Sequence, residues 1–550
     1  MTKIDMEMYE GWPVIEAPNI KALEKYLANL KCRPTPPYAV RVSSSSTRIE
    51  DGAFWELKPW ALNMPHYINT DIAVVVIPDS VTEIGNSAFA GCRGLRSIVI
   101  PDSVTKIGKS AFKGCTNLTS IVIPDSVKKI EEEAFWRCRC LRSIVIPDSV
   151  TEIGGDAFYD CRSLTGIVIP DSVTKIGWSA FEGCTNLTSI VIPDSVTEIG
   201  KYAFKGCASL TSIIIPDSVT KIGMRAFDDC WGMTSIIVSE GNKRYDSRND
   251  CNAIIESADN VLIRGCITTA IPNSITKIGQ DAFNGCKGLK SLFIPDSVTE
   301  IGAAAFLGCT GLTSLVIPDS VTEIGDYAFD CCRGLTSIVI PDLVTKIGKK
   351  AFWDCRCLTS IVISDSTTVI GELAFSDCTG LTSIVIPNSV TEIGKQAFRF
   401  CTGLTNIVIP DSVTKIGDGA FQGCTGLTSI IIPDSVTEIG TGAFWYCTGL
   451  TSIVIPDSVT EIGESAFSNC TGLKTVSILG AVKNISGVFY KCSSLETVTL
   501  GVGIKEFADT DPFCDCITLK TINVPAKNAE YYKRLLPEHL HTLIKDLPAE

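Results

Sequence analysis

The sequence predicts a repeat solenoid, in which short coils of chain stack on one another and bury a shared core. Three observations predict it. One 23-residue phrase recurs from Ile77 onward, and eighteen of the 25 cysteines keep one place within it. Each phrase also holds a short alternation of apolar residues with the period of a β-strand. A unit of this size cannot bury its own apolar face, so neighbouring copies must bury it together.

The repeated phrase reads I-P-D-S-V-T-E/K-I-G-x-x-A-F-x-x-C-x-x-L-x-x-I-x, and sixteen full copies are present. Its cysteine recurs every 23 residues from Cys92 to Cys230 and again from Cys286 to Cys470. Degenerate units flank this run, one at residues 48–54 and others ending at Cys492 and Cys516. Atypical terminal units are expected, because they must cap an open core.

One unit can be divided into local elements by residue type. Ile98 and Ile100 point to one face of a strand, and Pro101 ends that strand because it has no N–H to donate. Gly108 marks a bend where a side chain would obstruct the chain. Only residues 110–112 and their neighbours remain for a short helical turn. Each 23-residue coil is therefore predicted to hold a β-strand and a short helical turn.

The motif L-x-x-I-x-I-P-x-S-V-x-x-I-G-x-x-A-F-x-x-C is similar to the BspA-type branch of the leucine-rich repeats. The resemblance covers about residues 77–516. Residues 242–265 interrupt the period and resemble an insertion found in the same family, and Ala253–Glu256 and residues 261–264 within it read as a hairpin. The expected fold is a curved, right-handed, single leucine-rich-repeat solenoid with terminal caps.

This assignment divides the chain into three parts. Residues 1–46 are predicted to form an N-terminal capping helix, with Asn19 as its N-cap, followed by a connector. Residues 47–516 form the solenoid, with the hairpin-bearing insertion at about 239–266. Residues 517–550 form a C-terminal capping segment, with a helix over residues 529–547 that is interrupted at Pro537.

Charge and hydropathy limit the partners and the location. The formal net charge is −13 and no run of Lys and Arg occurs, so nucleic acid is not an expected partner. No apolar run reaches the ~18 residues of a membrane span. The first thirty residues lack the apolar stretch of a secretory signal, which predicts a cytoplasmic protein. The alternative is a cell-surface or secreted protein exported by another route.

The cysteine column is predicted to be a row of small buried thiols. Stacked coils place neighbouring cysteines ~4.8 Å apart with parallel side chains. A disulfide needs converging Cβ atoms roughly 3.5–4.5 Å apart, so the column is expected to stay reduced. The three C-x-C pairs, at Cys138, Cys355 and Cys514, lack the further ligands of a zinc site. We therefore expect no metal and no cofactor.

Two charged columns run along the solenoid. The Glu/Lys position before I-G places opposite charges at nine of its fourteen neighbouring steps, which favours an exposed cross-coil ladder. The Asp of I-P-D-S, represented by Asp102 and Asp125, places like charges next to each other. Hydrogen bonds from turn N–H groups would offset their repulsion. Calcium held between neighbouring carboxylates is the alternative.

The sequence contains no catalytic motif. An active site needs one particular set of residues at one place, whereas this chain repeats the same residue environment sixteen times. The prediction is a non-enzymatic scaffold that binds a protein or glycan through its surface. The family resemblance implies an adhesin-like role. An intracellular structural or sensing repeat protein is the alternative.

The candidate binding residues follow from which positions vary. The outward strand positions, such as Ser97 and Val99, are nearly the same in every repeat. The positions after I-G and after A-F vary instead, and four successive coils place large aromatics there. Such residues often anchor interfaces, because they bury much area at low entropic cost. The candidate partner-binding residues are Trp136, Tyr159, Trp178 and Tyr202.

Overall fold

The computed structural model describes residues 8–9, 12–17, 19, 21–22, 37–55, 72–482, 485, 487–502, 504 and 511–548. The chain forms two compact units. The first unit comprises Met1–Ala258 and Arg264–Thr268, and the second comprises Asp259–Ile263 and Thr269–Glu550. Both are built from the same 23-residue coil.

Most coils contain two short strands that pair with the matching strands of neighbouring coils. The long strand precedes the I-P dipeptide. In the first unit the long strands are Ile72–Val76, Ser97–Val99, Ser120–Val122, Ser143–Val145, Gly166–Val168, Ser189–Val191, Ser212–Ile215 and Ser235–Val238. In the second unit they are Ser337–Val339, Ser360–Val362, Ser383–Val385, Asn406–Val408, Ser452–Ile455, Thr475–Ile478, Thr497–Leu500 and Thr521–Val524.

The short strand is the dipeptide before the glycine of the phrase, and in most coils it reads Glu-Ile or Lys-Ile. In the first unit these strands are Arg48–Ile49, Glu83–Ile84, Lys106–Ile107, Lys129–Ile130, Glu152–Ile153, Lys175–Ile176, Glu198–Ile199 and Lys221–Ile222. In the second unit they are Lys277–Ile278, Glu300–Ile301, Glu323–Ile324, Lys346–Ile347, Val369–Ile370, Glu392–Ile393, Lys415–Ile416, Glu438–Ile439 and Glu461–Ile462.

The pairing is parallel and shifted by one repeat. Ser143 pairs with Ser120 on the long strands, and Lys129 pairs with Glu152 on the short strands. Along these strands, each residue therefore lies beside its equivalent in the next coil. The fold class predicted from the repeat is confirmed: within the described residues, each unit is a leucine-rich-repeat solenoid with little helix.

The segment expected to be a short helical turn is a pair of tight turns instead. Ala111 N–H donates to the Gly108 carbonyl at 3.3 Å, and Lys113 N–H donates to the Ser110 carbonyl at 3.0 Å. Between these bonds Ser110 adopts a left-handed conformation with φ 57°, and Gly114 follows with φ 73°. A left-handed residue cannot continue a right-handed helix, so the segment stays a turn.

The core of each coil is centred on a stacked phenylalanine. In the first unit, successive rings from Phe54 to Phe227 lie 5.1–5.5 Å apart and nearly parallel. The ring of Phe158, like its equivalents, is fully buried. Such close stacking needs close backbones. A Cβ on Gly108 would come within 2.6 Å of the Asn86 nitrogen, which explains why glycine occupies that bend.

The buried cysteine column links the coils through hydrogen bonds that sequence reasoning missed. The Cys161 thiol donates to the Phe135 carbonyl of the preceding coil at 3.1 Å. That same carbonyl accepts the Cys138 N–H at 3.1 Å. The cysteines in the described part of the chain are thiols rather than disulfides. Burial raises the pKa of Cys184 to about 12, so this thiol stays protonated and unreactive at neutral pH.

The N-terminal region adds strands rather than a plain connector. Trp12–Glu16 and Tyr38–Arg41 pair in parallel with each other, and Tyr38–Arg41 pairs in turn with Ile72–Val76. A further strand, Met8–Tyr9, pairs antiparallel with Trp12–Glu16. Strand pairing satisfies the open edge of the long-strand sheet. The predicted N-terminal helix lies outside the described residues except for its first turn, where Ala22 N–H donates to Asn19 Oδ1 at 3.0 Å.

The C-terminal cap combines helix and strand. The helix expected over residues 529–547 is Ala529–Leu535, followed by a 3₁₀ segment at Glu538–Leu543. Its predicted last turn is wrong, because Ile544–Asp546 is a strand that pairs in parallel with Thr521–Val524. This strand covers the backbone groups that the last long strand leaves open.

The insertion after Cys230 contains the strands Tyr245–Asp246, Ala253–Glu256 and Val261–Gly265 and a 3₁₀ segment at Arg248–Asp250. The first two of these strands pair antiparallel. The insertion is held to the preceding coil by the Asn242 amide, which donates to the Pro216 carbonyl at 2.7 Å. A buried ion pair between Arg264 and Asp228, at 3.3 Å, adds a second attachment.

Candidate interaction surface

The coil presents two faces that differ in composition. We call the outward residues of the long strands the strand side, and the residues from the short strand to the position after the cysteine the turn side. The strand side carries one exposed aliphatic residue in coil after coil, including Val122, Val145, Val168 and Val191. The turn side carries the residues that vary between coils, so it is where one coil can be told from another.

Two of the four candidate residues form a stacked pair on the turn side. The rings of Trp136 and Tyr159 lie 5.8 Å apart with an interplanar angle of 12°, and both side chains are half-buried. They follow the core phenylalanine of adjacent coils, so the repeat itself aligns them. Lys113 Nζ lies 4.5 Å from the Trp136 ring and Arg137 Cζ lies 4.1 Å from it. Cations so placed are attracted to the indole face.

The other two candidates are placed separately. Trp178 is 49% exposed, and its indole lies against the backbone of Gly155, where a Cβ would approach its Nε1 within 2.2 Å. Tyr202 is half-buried, with Lys201 Nζ 4.7 Å and Lys205 Nζ 5.2 Å from its ring. Within the described residues, ring contacts join only Trp136 and Tyr159 of the four.

A groove on the turn side of the first unit extends from Trp55 to Trp136. We call it the tryptophan groove, and its volume is about 570 Å³. Its two indoles follow the core phenylalanines of coils three steps apart, and the positions between them include the small residues Ala90 and Gly91. The residues lining it are Trp55, Ser87, Ala90, Gly91, Arg93, Ser110, Lys113, Gly114, Thr116, Trp136, Arg137 and Arg139.

Four cations line this groove, which the sequence pattern did not reveal. Lys113 forms an ion pair with Glu133 at 2.7 Å, and Arg139 forms one with Asp160 at 3.0 Å. Arg137 lies 3.7 Å from the same Asp160 carboxylate. No described carboxylate lies within 4.0 Å of the Arg93 guanidinium. Stacking of the coils gathers residues that are about twenty positions apart in the chain, so no basic run marks the cluster.

A buried carboxylate lies beside the aromatic pair. Asp156 occupies the coil position equivalent to Glu133 and is only 8% exposed. Burial, and next the charges of Glu133 and Glu182, raise the pKa of Asp156 to about 7. Glu133 accepts a hydrogen bond from Ser110 Oγ at 2.6 Å, and Lys113 holds its pKa below the usual value. The turn side therefore contains a group that titrates near neutral pH.

The Glu/Lys ladder predicted along the short strands is present in part. Five of the nine predicted pairs are ion pairs, and Glu198 contacts both Lys175 at 3.3 Å and Lys221 at 2.7 Å. The other three join Lys129 to Glu152, Lys277 to Glu300 and Lys415 to Glu438. All of them are at least partly exposed to solvent, so each stabilises the solenoid by about 0–1 kcal/mol.

The explanation expected for the aspartate column is not the one the structure gives. The carboxylates of Asp102, Asp125 and their equivalents are exposed to solvent. The turn is closed by the Val104 N–H, which donates to the Pro101 carbonyl at 3.0 Å. The neighbouring Ser103 links it to the preceding coil, since its Oγ donates to the Val81 carbonyl at 2.7 Å. No described turn N–H group donates a hydrogen bond to Asp102 or Asp125, and exposure to solvent lets water screen the like charges. In the described part of the chain, no cluster of three or more His, Cys, Asp or Glu side chains is arranged to hold a metal ion.

The stacked phenylalanines, paired dipeptide strands and turn-side variation define a leucine-rich-repeat solenoid. The profile described as BspA type Leucine rich repeat region (6 copies) matches residues 62–187, 174–251, 265–382, 368–488 and 416–536. The chain belongs to the BspA-type leucine-rich-repeat family. None of the curated proteins compared with the chain matches it.

Solved structures of bacterial leucine-rich-repeat proteins are similar to the chain. One from Bacteroides ovatus is 32% identical, with 72% of this chain and 89% of that chain covered and a TM-score of 0.44. One from Eubacterium ventriosum is 23% identical, with 69% and 83% covered and a TM-score of 0.42. A leucine rich cell surface protein from Faecalibacterium prausnitzii is 28% identical, with 81% and 88% covered and a TM-score of 0.35.

Among the residues that the structure describes, none of the helices has the length and apolar character needed to cross a membrane.

Proposed function

We propose that the protein is a non-enzymatic interaction scaffold, adhesin-like, that binds a protein or glycan partner through the turn side of its first unit. The observation that carries the proposal is the stacked, half-buried pair of Trp136 and Tyr159 with cations on the indole. Their backbone is fixed by the repeat, so these rings meet a partner without first being ordered. Preorganised aromatic residues of this kind contribute strongly to binding.

The contrast between the two sides of the coil supports this location. The strand side is nearly uniform, with Ser or Gly and then Val or Ile, and therefore distinguishes one coil from another poorly. The turn side differs from coil to coil and places Trp178 and Tyr202 in the two coils that follow the aromatic pair. A partner that is recognised at one place on the solenoid needs such differences.

The test is a crosslinking pulldown from the native environment with two matched variants. The first replaces Trp136, Tyr159, Trp178 and Tyr202 by alanine. The second replaces Val122, Val145, Val168 and Val191, the exposed strand residues of the same four coils, by alanine. We expect the aromatic variant to lose the captured partner and the valine variant to keep it, with both melting cooperatively. Retention of the partner by the aromatic variant would place the site elsewhere.

The adhesin-like part of the proposal requires the protein to be reachable from outside the cell. Protease added to intact native cells is expected to degrade it while a cytoplasmic marker survives. Complete protection of the protein until the cells are lysed would contradict the adhesin-like role and support an internal structural or sensing scaffold.

A further inference from the structure

The tryptophan groove has a chemistry unlike the rest of this acidic chain. Two indoles stand at its ends, and the side chains of Arg93, Lys113, Arg137 and Arg139 line it. The carboxylates paired with these cations are Glu133 and Asp160, so the cations outnumber them. The formal net charge of the whole chain is −13, so the cationic groove is a local exception. A cleft lined by positive charge attracts small anionic ligands and raises their local concentration.

The width of the groove follows from the repeat. The core rings of its four coils, Phe54, Phe89, Phe112 and Phe135, are separated by steps of 5.1, 5.3 and 5.5 Å. The residue after each of these phenylalanines occupies the same position in its coil. Ala90 has a small side chain at this position, which leaves space between Trp55 and Trp136. A volume of about 570 Å³ lies within the range of small-ligand sites, which is ~300–1,000 Å³.

The two indoles play different parts. Trp136 stacks with Tyr159 and lies 4.5 Å from Lys113 Nζ, so its part in the groove is to position that ammonium group. Trp55 is 54% exposed, and no described ring stacks on it. An exposed indole offers a flat apolar surface of the kind on which the C–H face of a pyranose ring packs.

The backbone of the groove offers little to a peptide. The N–H groups of Ser87, Gly91 and Gly114 donate to carbonyls of the next coil at 2.7–2.8 Å. A peptide strand binds by pairing with open backbone groups, and here the coil stack uses them. The groups available to bind a ligand are therefore the indole of Trp55, hydroxyls such as that of Thr116, and the cationic side chains.

From this arrangement we infer that the tryptophan groove binds an acidic sugar of a glycan, with the pyranose ring against Trp55 and its carboxylate or sulfate facing Arg93 and Lys113. This inference rests on the proposed function and names the ligand class of the same surface. Guanidinium groups bind carboxylate and sulfate oxygens through paired N–H donors, which gives direction as well as charge attraction. The binding is expected to weaken as salt screens the exposed cations.

The test is calorimetric titration of the full chain with short oligosaccharides of matched length. An oligogalacturonate supplies carboxylates, a sulfated dextran fragment supplies sulfates, and unmodified dextran is the neutral control. We expect at least one acidic oligosaccharide to bind and dextran not to bind. The acidic probe that binds more tightly identifies the anion. Equal binding of dextran would overturn the inference, as would tighter binding of a polyglutamate peptide or of a single-stranded oligonucleotide.

Four variants locate the site. Trp55→Ala and Arg93→Glu are expected to weaken binding of the preferred acidic oligosaccharide by at least about tenfold. Trp445→Ala removes the indole from a similar turn-side groove in the second unit, and Lys128→Glu reverses an exposed charge outside the tryptophan groove. Both controls are expected to bind as the parent does. Unchanged affinity in Arg93→Glu, or equal losses in the controls, would overturn the inference.

The outcome is separable from that of the proposed function. A chain that binds none of the oligosaccharides, yet loses its captured partner in the four-alanine aromatic variant, would overturn the acidic-sugar inference and leave the scaffold proposal standing. A chain that binds an acidic oligosaccharide at Trp55 and Arg93 but keeps its captured partner in that variant would support the inference and contradict the proposed partner site.

Discussion

The strand side and the turn side of one coil share a backbone but tolerate very different sequences. The strand side of the first unit carries Ser or Gly followed by Val or Ile in the coils from Ser97 to Ile237, whereas the turn-side position of Ser110 is occupied by Glu133 and Tyr202 in later coils. These three residues nevertheless adopt the same left-handed conformation, with φ of 57°, 56° and 61°. The backbone conformation is thus independent of the side chain.

Hydrogen bonds between coils explain this tolerance. Ser110 N–H donates to the Glu132 carbonyl at 2.9 Å, and Glu133 N–H donates to the Gly155 carbonyl at 2.9 Å. A left-handed conformation costs a residue with a side chain about 1–2 kcal/mol, and these bonds help to offset it. Since the backbone is held by the stack, turn-side residues are free to vary. Under the proposed function, repetition supplies the shape of the surface and the turns supply its specificity.

The largest expected effect separates two adjacent residues, Phe158 and Tyr159. Phe158 is fully buried in the ring stack, so Phe158→Ala is expected to lower the free energy of unfolding by about 3–5 kcal/mol. Tyr159→Ala removes a half-buried ring and is expected to lower it by about 1 kcal/mol. Urea denaturation of both variants measures the difference. Equal losses would mean that the turn side is part of the structural core.

A smaller effect is expected from the cysteine column. Cys161→Ala removes the thiol that donates to the Phe135 carbonyl and should lower the free energy of unfolding by about 1 kcal/mol. Cys357 is exposed, so Cys357→Ala serves as the control and should have no effect. If the two variants unfold at the same urea concentration, the buried thiols fill space without linking the coils.

A pH-dependent effect is expected at Asp156. Its pKa is raised to about 7 in the folded protein, whereas an unfolded aspartate titrates near 3.8. The folded state therefore holds a proton that the unfolded state releases, and stability falls as pH rises from about 4 to about 7. Asp156→Asn should melt with its parent at pH 4 and several degrees above it at pH 8.

The exposed Asp102 provides the control for that experiment. Asp102→Asn should show no such pH-dependent difference, because its carboxylate is already in solvent. Thermal melts of the parent and both variants across this pH range make the comparison. Identical pH profiles for the parent and Asp156→Asn would show that the buried carboxylate is not held protonated by its surroundings.

The smallest expected effect concerns calcium. The aspartate column is exposed and solvated, so millimolar calcium should leave the melting temperature within about one degree of its value without calcium. A rise of several degrees that Asp125→Asn abolishes would contradict this and make the column a cation site.

The residues of the repeated phrase could be predicted from the sequence, but the contacts between residues of different coils could not. The repeated phenylalanine, glycine and strand residues predicted the coil, because each occupies the same environment in every copy. The thiol donors were missed because a sequence does not show which carbonyl lies beside Cys161. The cations of the tryptophan groove were missed because Arg93 and Lys113 become neighbours only when coils stack. The strands Tyr38–Arg41 and Ile544–Asp546 were missed because they form to cover open sheet edges.

The central claim is that the turn side, and not the strand side, meets the partner. Hydroxyl-radical footprinting of the chain, alone and bound to its captured partner, tests this claim most directly. We expect protection of Trp136 and Tyr159 on binding, with the exposed Val122 and Val145 of the same coils remaining as reactive as in the free chain. Protection of the two valines with unchanged reactivity of the aromatic pair would contradict the account.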